Sequence, residues 1–190
     1  MPPERCIFCS NVANTREHVI PRCFLNKPYP KNLPTLPSCQ KCNNSFSMDE
    51  EYVMYLIDYL KSIEFNHGEF TRSKAENAFN HNGKLEDRMI ESLDFLDAGI
   101  FFNIETERVK NIAKKISLCL LLHKFGKSLT FDNIDIRYSF APHLTKEELV
   151  IIKDELSEEF QAGEFSFKIY NEHEVAFSIS DFLFVCAYAN

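Results

Sequence analysis

Two Cys-x-x-Cys pairs near the N-terminus constrain this 190-residue chain more than any other feature. Cys6 pairs with Cys9 and Cys39 with Cys42, and 29 residues separate the two pairs. Four thiolates on two tight turns suit a tetrahedral metal ion, and Zn²⁺ held by all four has no position left for a substrate. The spacing therefore predicts a structural zinc centre, which would supply much of the folding free energy of a segment too small to have its own core.

The remaining cysteines do not fit this pattern. The chain has seven cysteines, an odd number, and begins MPPERC without an apolar signal region, so metal binding explains the pairs better than disulfides or free thiols. Cys23 is predicted to be a bystander in a loop, and Cys119 and Cys186, in apolar runs, to be core residues. Because no apolar run approaches the roughly 20 residues of a membrane span, we expect a cytoplasmic protein without a membrane partner.

Charge is distributed unevenly along the chain. Residues 1–47 hold six basic and two acidic side chains, a net charge of +4, whereas the remainder holds 15 basic and 26 acidic side chains, a net charge of −11. A basic N-terminal segment on an acidic body is the asymmetry expected when only one face of a protein meets a polyanion.

The composition, with 45% apolar residues, 18 Phe, 5 Gly and no Trp, indicates a helix-rich α+β fold. A capping box at Ser47 and Glu50 predicts a helix to about Glu64. The other predicted helices cover 71–97, as one or two helices broken near Asn82-Gly83, 105–124 as a central buried helix, and 144–160. Alternating apolar residues predict strands at 134–140, at 165–170 and within 175–189, the last two paired through a turn at 171–174.

Between and just after the cysteine pairs stand EHVIP (17–21), Asn32 and CQKCNNSFS (39–47). Together with CIFC, this order resembles the HNH endonuclease family, in its subgroup with a four-cysteine zinc frame and a His-Asn-Asn triad. The resemblance covers residues 6–52. It implies a ββα-metal zinc module, which we place at residues 1–52. The rest of the chain, 53–190, is predicted from its apolar patterns to be an accessory body that is helix-rich and ends in an antiparallel sheet with a helix.

The chemistry of phosphodiester hydrolysis gives each motif position a role. The reaction needs a deprotonated water and a cation near the leaving oxygen. His18 titrates near neutral pH and can act as the general base, while the amide oxygen of Asn43 suits Mg²⁺ or Mn²⁺. The resemblance makes Glu17 a second metal ligand and Asn32 the residue that orients the histidine.

Several alternatives stay open in this motif. A regular strand would point Glu17 and His18 to opposite faces, so both can serve one site only if the strand bends. Asn44 could replace Asn43 at the metal. The acidic residues 49–51 could add a ligand, although a helix N-terminus also explains them.

The resemblance implies cleavage of nucleic acid, with DNA the expected substrate and 5′-phosphate and 3′-hydroxyl ends on the products. The basic residues of the segment are candidate phosphate contacts, or else a solvated surface; they are Arg16, Arg22, Lys27, Lys31 and Lys41. One alternative is an inactive zinc-ribbon module that binds nucleic acid or protein. Another is a nuclease subunit that stays inactive until a partner, such as an ATPase of a phage-defence or restriction operon, delivers DNA.

Overall fold

The computed structural model describes residues 3–64, 87, 91–96, 99–126, 134–140, 146–156, 158–161, 164–180 and 182–188. Within these residues the fold is α+β, with an N-terminal cysteine cluster, two long helices and a C-terminal five-stranded antiparallel sheet. In this part of the chain no helix is both long and apolar enough to cross a membrane. The α+β class predicted from the sequence is confirmed at this level of detail.

The N-terminal hairpin consists of β1 (Thr15–His18) and β2 (Thr35–Ser38), which pair antiparallel with His18 opposite Thr35. A short helix, α1 (Gln40–Ser45), begins two residues after β2. A 3₁₀ turn at Arg22–Phe24 lies between the two strands, so the order of elements in this segment is strand, 3₁₀ turn, strand, helix.

Helix α2 (Ser47–Glu64) begins where the sequence predicted a helix. The capping box predicted there is not formed. The Ser47 hydroxyl donates to the Asn44 carbonyl at 2.8 Å, and the Glu50 carboxylate pairs with a lysine of a later helix. Because α1 runs up to Phe46, whose carbonyl accepts the Glu50 N–H at 2.9 Å, α2 continues a helical path and has no open N-terminus to cap.

A two-stranded antiparallel hairpin, β3 (Leu93–Leu96) and β4 (Gly99–Phe102), follows in the described chain. The helix predicted over 71–97 is therefore wrong at its C-terminal end. Residues 93–96 form the strand β3 there, which pairs with β4. The rest of that prediction, including the break near Asn82-Gly83, falls almost entirely outside the described residues.

Helix α3 (Thr106–Phe125) is the central buried helix predicted from the apolar pattern. It contacts both α2 and the C-terminal sheet. Gly126 ends it in the left-handed conformation, with φ of 64°, and donates its N–H to the Leu122 carbonyl at 2.8 Å. Even the hydroxyl of Ser117 is buried and bonds within the helix, to the carbonyl of Ala113.

The C-terminal sheet has the strand order β5-β9-β8-β7-β6, and all of its neighbours are antiparallel. Its elements, with the helix α4 that precedes β6, are β5 (Ile134–Phe140), α4 (Lys146–Glu155), β6 (Glu158–Gln161), β7 (Phe165–Asn171), β8 (Glu174–Ile179) and β9 (Phe182–Tyr188). The predicted strands and the β7–β8 turn are confirmed. Two boundaries differ: the helix predicted over 144–160 ends at Glu155, and the run 175–189 is broken at Ser180, whose φ is 50°.

One hydrophobic core unites the N-terminal segment with the rest of the described chain. The loop after β1 contributes Val19, Ile20 and Phe24, which are fully buried in the same cluster as side chains of α2, α3 and the sheet. Within the sheet, the Phe177 ring stacks on Phe165 at 5.7 Å and on Phe184 at 4.9 Å between centroids. The division at residue 52 stays a prediction, and it falls inside α2.

Candidate metal centre and active site

The four cysteines predicted to share a metal lie together. Their Sγ atoms are all within 4.8 Å of one another, and those of Cys9 and Cys39 are 3.7 Å apart. Four Zn–S bonds of about 2.3 Å in a tetrahedron separate the sulfur atoms by about 3.8 Å. The cluster therefore has the donors and nearly the spacing that a structural metal such as zinc requires.

Local backbone geometry places these sulfur atoms. Cys6 and Cys9 flank a tight turn, Cys39 is the N-cap of α1, and Cys42 lies in the first turn of that helix. Burial raises the pKa of Cys6, but backbone N–H groups of Cys39, Phe8 and Cys9 outweigh it and lower the pKa to about 6. Burial and the neighbouring thiols raise the pKa of Cys42. The thiolate of Cys6 is thus favoured by backbone N–H groups, whereas that of Cys42 is disfavoured by its burial and by the other thiols.

The cluster connects the hairpin to α1. The Ile7 N–H donates to the Pro37 carbonyl at 3.1 Å, and the Gln40 N–H donates to the Asn14 side chain at 2.9 Å. The remaining cysteines lie elsewhere, as predicted: Cys23 is half-buried in a 3₁₀ turn, and Cys119 and Cys186 are buried core thiols, each raised by burial to a pKa of about 12.

His18 is the last residue of β1 and is half-buried. Its Nδ1 atom has no contact with solvent and no hydrogen-bond partner within the described chain. Burial lowers its pKa, and the positive charges of Arg22 and Lys115 lower it further. The imidazole is therefore neutral at neutral pH, which is the form that can accept a proton.

Asn43 lies in α1 and reaches back to β1. Its Nδ2 donates to the Thr15 hydroxyl and to the Arg16 carbonyl, each at 3.3 Å. Its neighbour Asn44 is exposed, and the Asn44 carbonyl accepts the bond from Ser47. Of the two asparagines, Asn43 is the one in contact with the strand that carries His18.

Glu17 is buried, with 5% of its surface exposed, and its Oε1 forms an ion pair with Lys115 Nζ at 3.0 Å. Lys115, on α3 and 1% exposed, also pairs with Glu50 of α2 and lies 5.0 Å from the centre of the Phe46 ring. Burial alone would lower the pKa of Lys115, but the Glu50 and Glu17 carboxylates outweigh it, raise the pKa and keep the ammonium charged. The other Glu17 oxygen, Oε2, is buried with no hydrogen-bond partner in the described chain.

Lys115 was missed in the sequence, although a signal was present. It follows Ile112 by three residues and precedes Cys119 by four, so it falls on the apolar stripe of α3. A lysine at a core position of a buried helix needs a carboxylate partner.

The other predicted residues occupy the surface around these groups. Arg16 is committed to an ion pair with Glu4 at 3.0 Å and to the Thr35 carbonyl at 3.0 Å. Asn32 is exposed in the turn before β2. Exposed basic side chains are Arg22, Lys27, Lys31 and Lys41.

The acidic residues at the start of α2 contact α3. Asp49 accepts from Arg108 at 3.3 Å and bonds Asn111, and Glu50 pairs with Lys115. Packing of α2 against α3 accounts for both of these carboxylates.

The fold and this site define an α+β protein in which a four-cysteine cluster, able to hold a structural metal such as zinc, joins a β-hairpin to a helix. Comparison of the chain with models of protein families, with curated proteins and with solved structures finds no match.

Proposed function

We propose that this protein is a metal-dependent endonuclease of the HNH type, which hydrolyses phosphodiester bonds of nucleic acid, with DNA as the expected substrate. The observation that carries the proposal is the contact of Asn43 with β1, the strand that ends in His18, inside a unit joined by the cysteine cluster. Among the elements of the resemblance, the cysteine cluster, His18 and Asn43 thus all belong to one short strand–helix segment, which supports the proposal.

In this proposal His18 is the general base. Its ring is neutral at neutral pH, and the shielding of Nδ1 from solvent leaves Nε2 as the nitrogen that takes the proton from the attacking water. General-base assistance of this kind contributes about 10²- to 10⁴-fold to a rate.

The cysteine cluster binds structural Zn²⁺, and a separate Mg²⁺ or Mn²⁺ ion is the catalytic cofactor. Asn43 fits a hard cation, because its Nδ2 donates to β1 and its amide oxygen is left to bind the ion. Glu17, the second ligand that the resemblance implies, fits less well. β1 pairs with β2 in unbroken register, which points Glu17 and His18 to opposite faces, and Lys115 already pairs with the Glu17 carboxylate. When bound, the cation would supply positive charge near the leaving oxygen. The orienting role of Asn32 rests on the resemblance alone, because Asn32 is exposed and the His18 Nδ1 atom has no hydrogen-bond partner in the described chain.

The exposed residues Arg22, Lys27, Lys31 and Lys41 are the phosphate contacts of this proposal. Arg16 contributes less to binding, since its guanidinium already bonds Glu4 and the Thr35 carbonyl. Contacts of this kind position the substrate and do not read its sequence.

The test is cleavage of plasmid DNA and of RNA by the zinc-loaded full chain with Mg²⁺ or Mn²⁺. His18→Ala should lower the rate at least about 100-fold, whereas His123→Ala, at the exposed end of α3, should leave it unchanged. Products should carry 5′-phosphate and 3′-hydroxyl ends. Equal cleavage by wild type and His18→Ala, or none by any variant, would overturn the proposal.

The Glu17–Lys115 ion pair favours a second candidate, a zinc-ribbon module that binds nucleic acid or protein without cutting. In that case an ammonium permanently holds the carboxylate that the resemblance assigns to the metal. Nucleic-acid binding that is equal in wild type and His18→Ala, with no cleavage under any divalent metal, would establish this candidate.

A further inference from the structure

A single buried ammonium contacts three parts of the N-terminal unit, by which we mean β1, β2, α1, the loops between them and the first turn of α2 (residues 3–52). Lys115 Nζ lies 3.0 Å from Oε1 of Glu17 on β1, bonds Glu50 on α2, and lies 5.0 Å from the ring centre of Phe46, the residue between α1 and α2. Glu17 precedes His18 directly, and Phe46 follows Asn43 by three residues. Lys115 therefore connects the strand that carries the proposed base to the helix that carries the proposed metal ligand.

The chemistry of this contact fixes geometry more strictly than an apolar contact would. A buried ammonium regains the free energy lost on leaving water only when carboxylates meet it at hydrogen-bond distance. Sliding β1 against α1 and α2 would leave Lys115 or Glu17 charged and unpaired in the core, whereas packed methyl groups would tolerate a small shift. The ion pairs thus restrict the separation of β1 from α2, and the contact with the Phe46 ring extends this restraint to the end of α1.

We propose that Lys115 is a positioning residue of the nuclease site, in which a side chain of the central helix holds the His18 strand at a fixed place relative to Asn43. The inference rests on the proposed function. It assigns a part of the active site to residues 53–190, for which the sequence motif gave no role.

The chain offers a matched control for this role. Asn26, in the loop after β1, donates its N–H to Gln161 at 2.7 Å and its side chain to Glu164 at 2.9 Å, and Gln161 bonds the Asn26 carbonyl at 2.9 Å. This second polar link also joins the N-terminal unit to distant residues, but none of these bonds involves β1 or α1. A variant such as Gln161→Ala weakens attachment without touching the proposed positioning contact.

The test compares zinc-loaded full-length wild type, Lys115→Met and Gln161→Ala in steady-state cleavage of plasmid DNA. We expect Lys115→Met to keep its zinc and a KM within about twofold while kcat falls at least about 10-fold, as for a lost alignment of reacting groups. Gln161→Ala should keep both values within about twofold. An unchanged kcat in Lys115→Met, with an active wild type, would overturn the inference and leave the proposed function standing.

Amide hydrogen exchange supplies a readout that does not depend on activity. Exchange in β1 and α1 should accelerate by roughly 10-fold or more in Lys115→Met and stay unchanged in Gln161→Ala. If the wild type cuts nothing, the proposed function fails, and equal exchange in both variants would then overturn the positioning role as well. If Lys115→Met loses zinc or does not fold, Glu50→Gln, which removes only one of the two carboxylate partners, is compared in its place.

Discussion

The Sγ atoms of Cys9 and Cys39 lie 3.7 Å apart across 30 positions of sequence. No covalent bond joins them, because all the cysteines are free thiols. The contact brings the N-terminal turn to the N-cap of α1, and a metal ion bound by the deprotonated thiols would join the two.

Removal of the metal should therefore destabilise the whole protein, since the cysteine-bearing segment shares its core with α2, α3 and the sheet. We expect chelation, or Cys39→Ser, to release zinc and lower the free energy of unfolding by at least about 3 kcal/mol. Zinc stoichiometry by elemental analysis and urea unfolding measure the two effects. Cys23→Ser should keep its zinc, and a Cys39→Ser protein that also kept it would contradict the four-cysteine assignment.

The pKa of His18 should lie below its ordinary value of 6.5, because burial and two positive charges disfavour the imidazolium. The folded state therefore prefers the neutral ring, and the stability this contributes is present above the unfolded pKa and is lost as pH falls toward the folded one. NMR titration of the histidine C–H resonances against pH, without divalent metal, measures the pKa of His18. Arg22→Ala should raise it, whereas Lys27→Ala should not; a His18 pKa above 6.5 would contradict the prediction.

Affinity for nucleic acid should depend on salt through the exposed basic residues. Each of Lys31→Ala and Lys41→Ala should reduce the slope of log affinity against log salt by about 0.9 on duplex DNA, the value for one lost phosphate contact. Fluorescence anisotropy at several salt concentrations gives the slopes. Lys124→Ala, at the far end of α3, is the control because it removes the same charge. An equal reduction of the slope in Lys31→Ala, Lys41→Ala and Lys124→Ala would contradict the phosphate contacts and indicate a general charge effect.

Loss of the buried ammonium should cost far more stability than loss of an exposed one on the same helix. Lys115→Ala leaves two carboxylates without their partner and should lower the free energy of unfolding by about 3–5 kcal/mol. Lys110→Ala, 40% exposed and paired to Glu107 one turn away, should cost less than about 1 kcal/mol. Urea unfolding of the two zinc-loaded variants measures the difference, and equal values would show that the buried pair contributes no more than a surface one.

Features set by local sequence were predictable, and those set by distant partners were not. The helical spacing of apolar residues in α3 and their alternation in β5 and β7 indicate which side of each element is buried. The spacing of the two cysteine pairs predicts the four-cysteine cluster. The capping box at Ser47 failed because α1 already supplied the carbonyls that a new helix start would lack. Lys115 and its carboxylates are 65 or more positions apart, so no local pattern could pair them.

The strand errors have a different cause. Residues 93–96 were assigned to the preceding helical pattern, although their partner strand β4 lies only three to nine positions later, so the missed signal was a local hairpin. Ser180 has a positive φ, which is rare for serine and could not be predicted from its residue type. The run 175–189 is therefore broken there into the strands β8 and β9.

The contact of Asn26 with Gln161 spans 135 positions. During synthesis, a chain that has emerged as far as α2 already carries the four clustered cysteines, His18 and Asn43, but the loop after β1 still lacks the side chains that hold it. Lys115 leaves the ribosome later, and Gln161 and Glu164 later again. The residues of the cysteine cluster, His18 and Asn43 are therefore translated before the side chains that hold them in place.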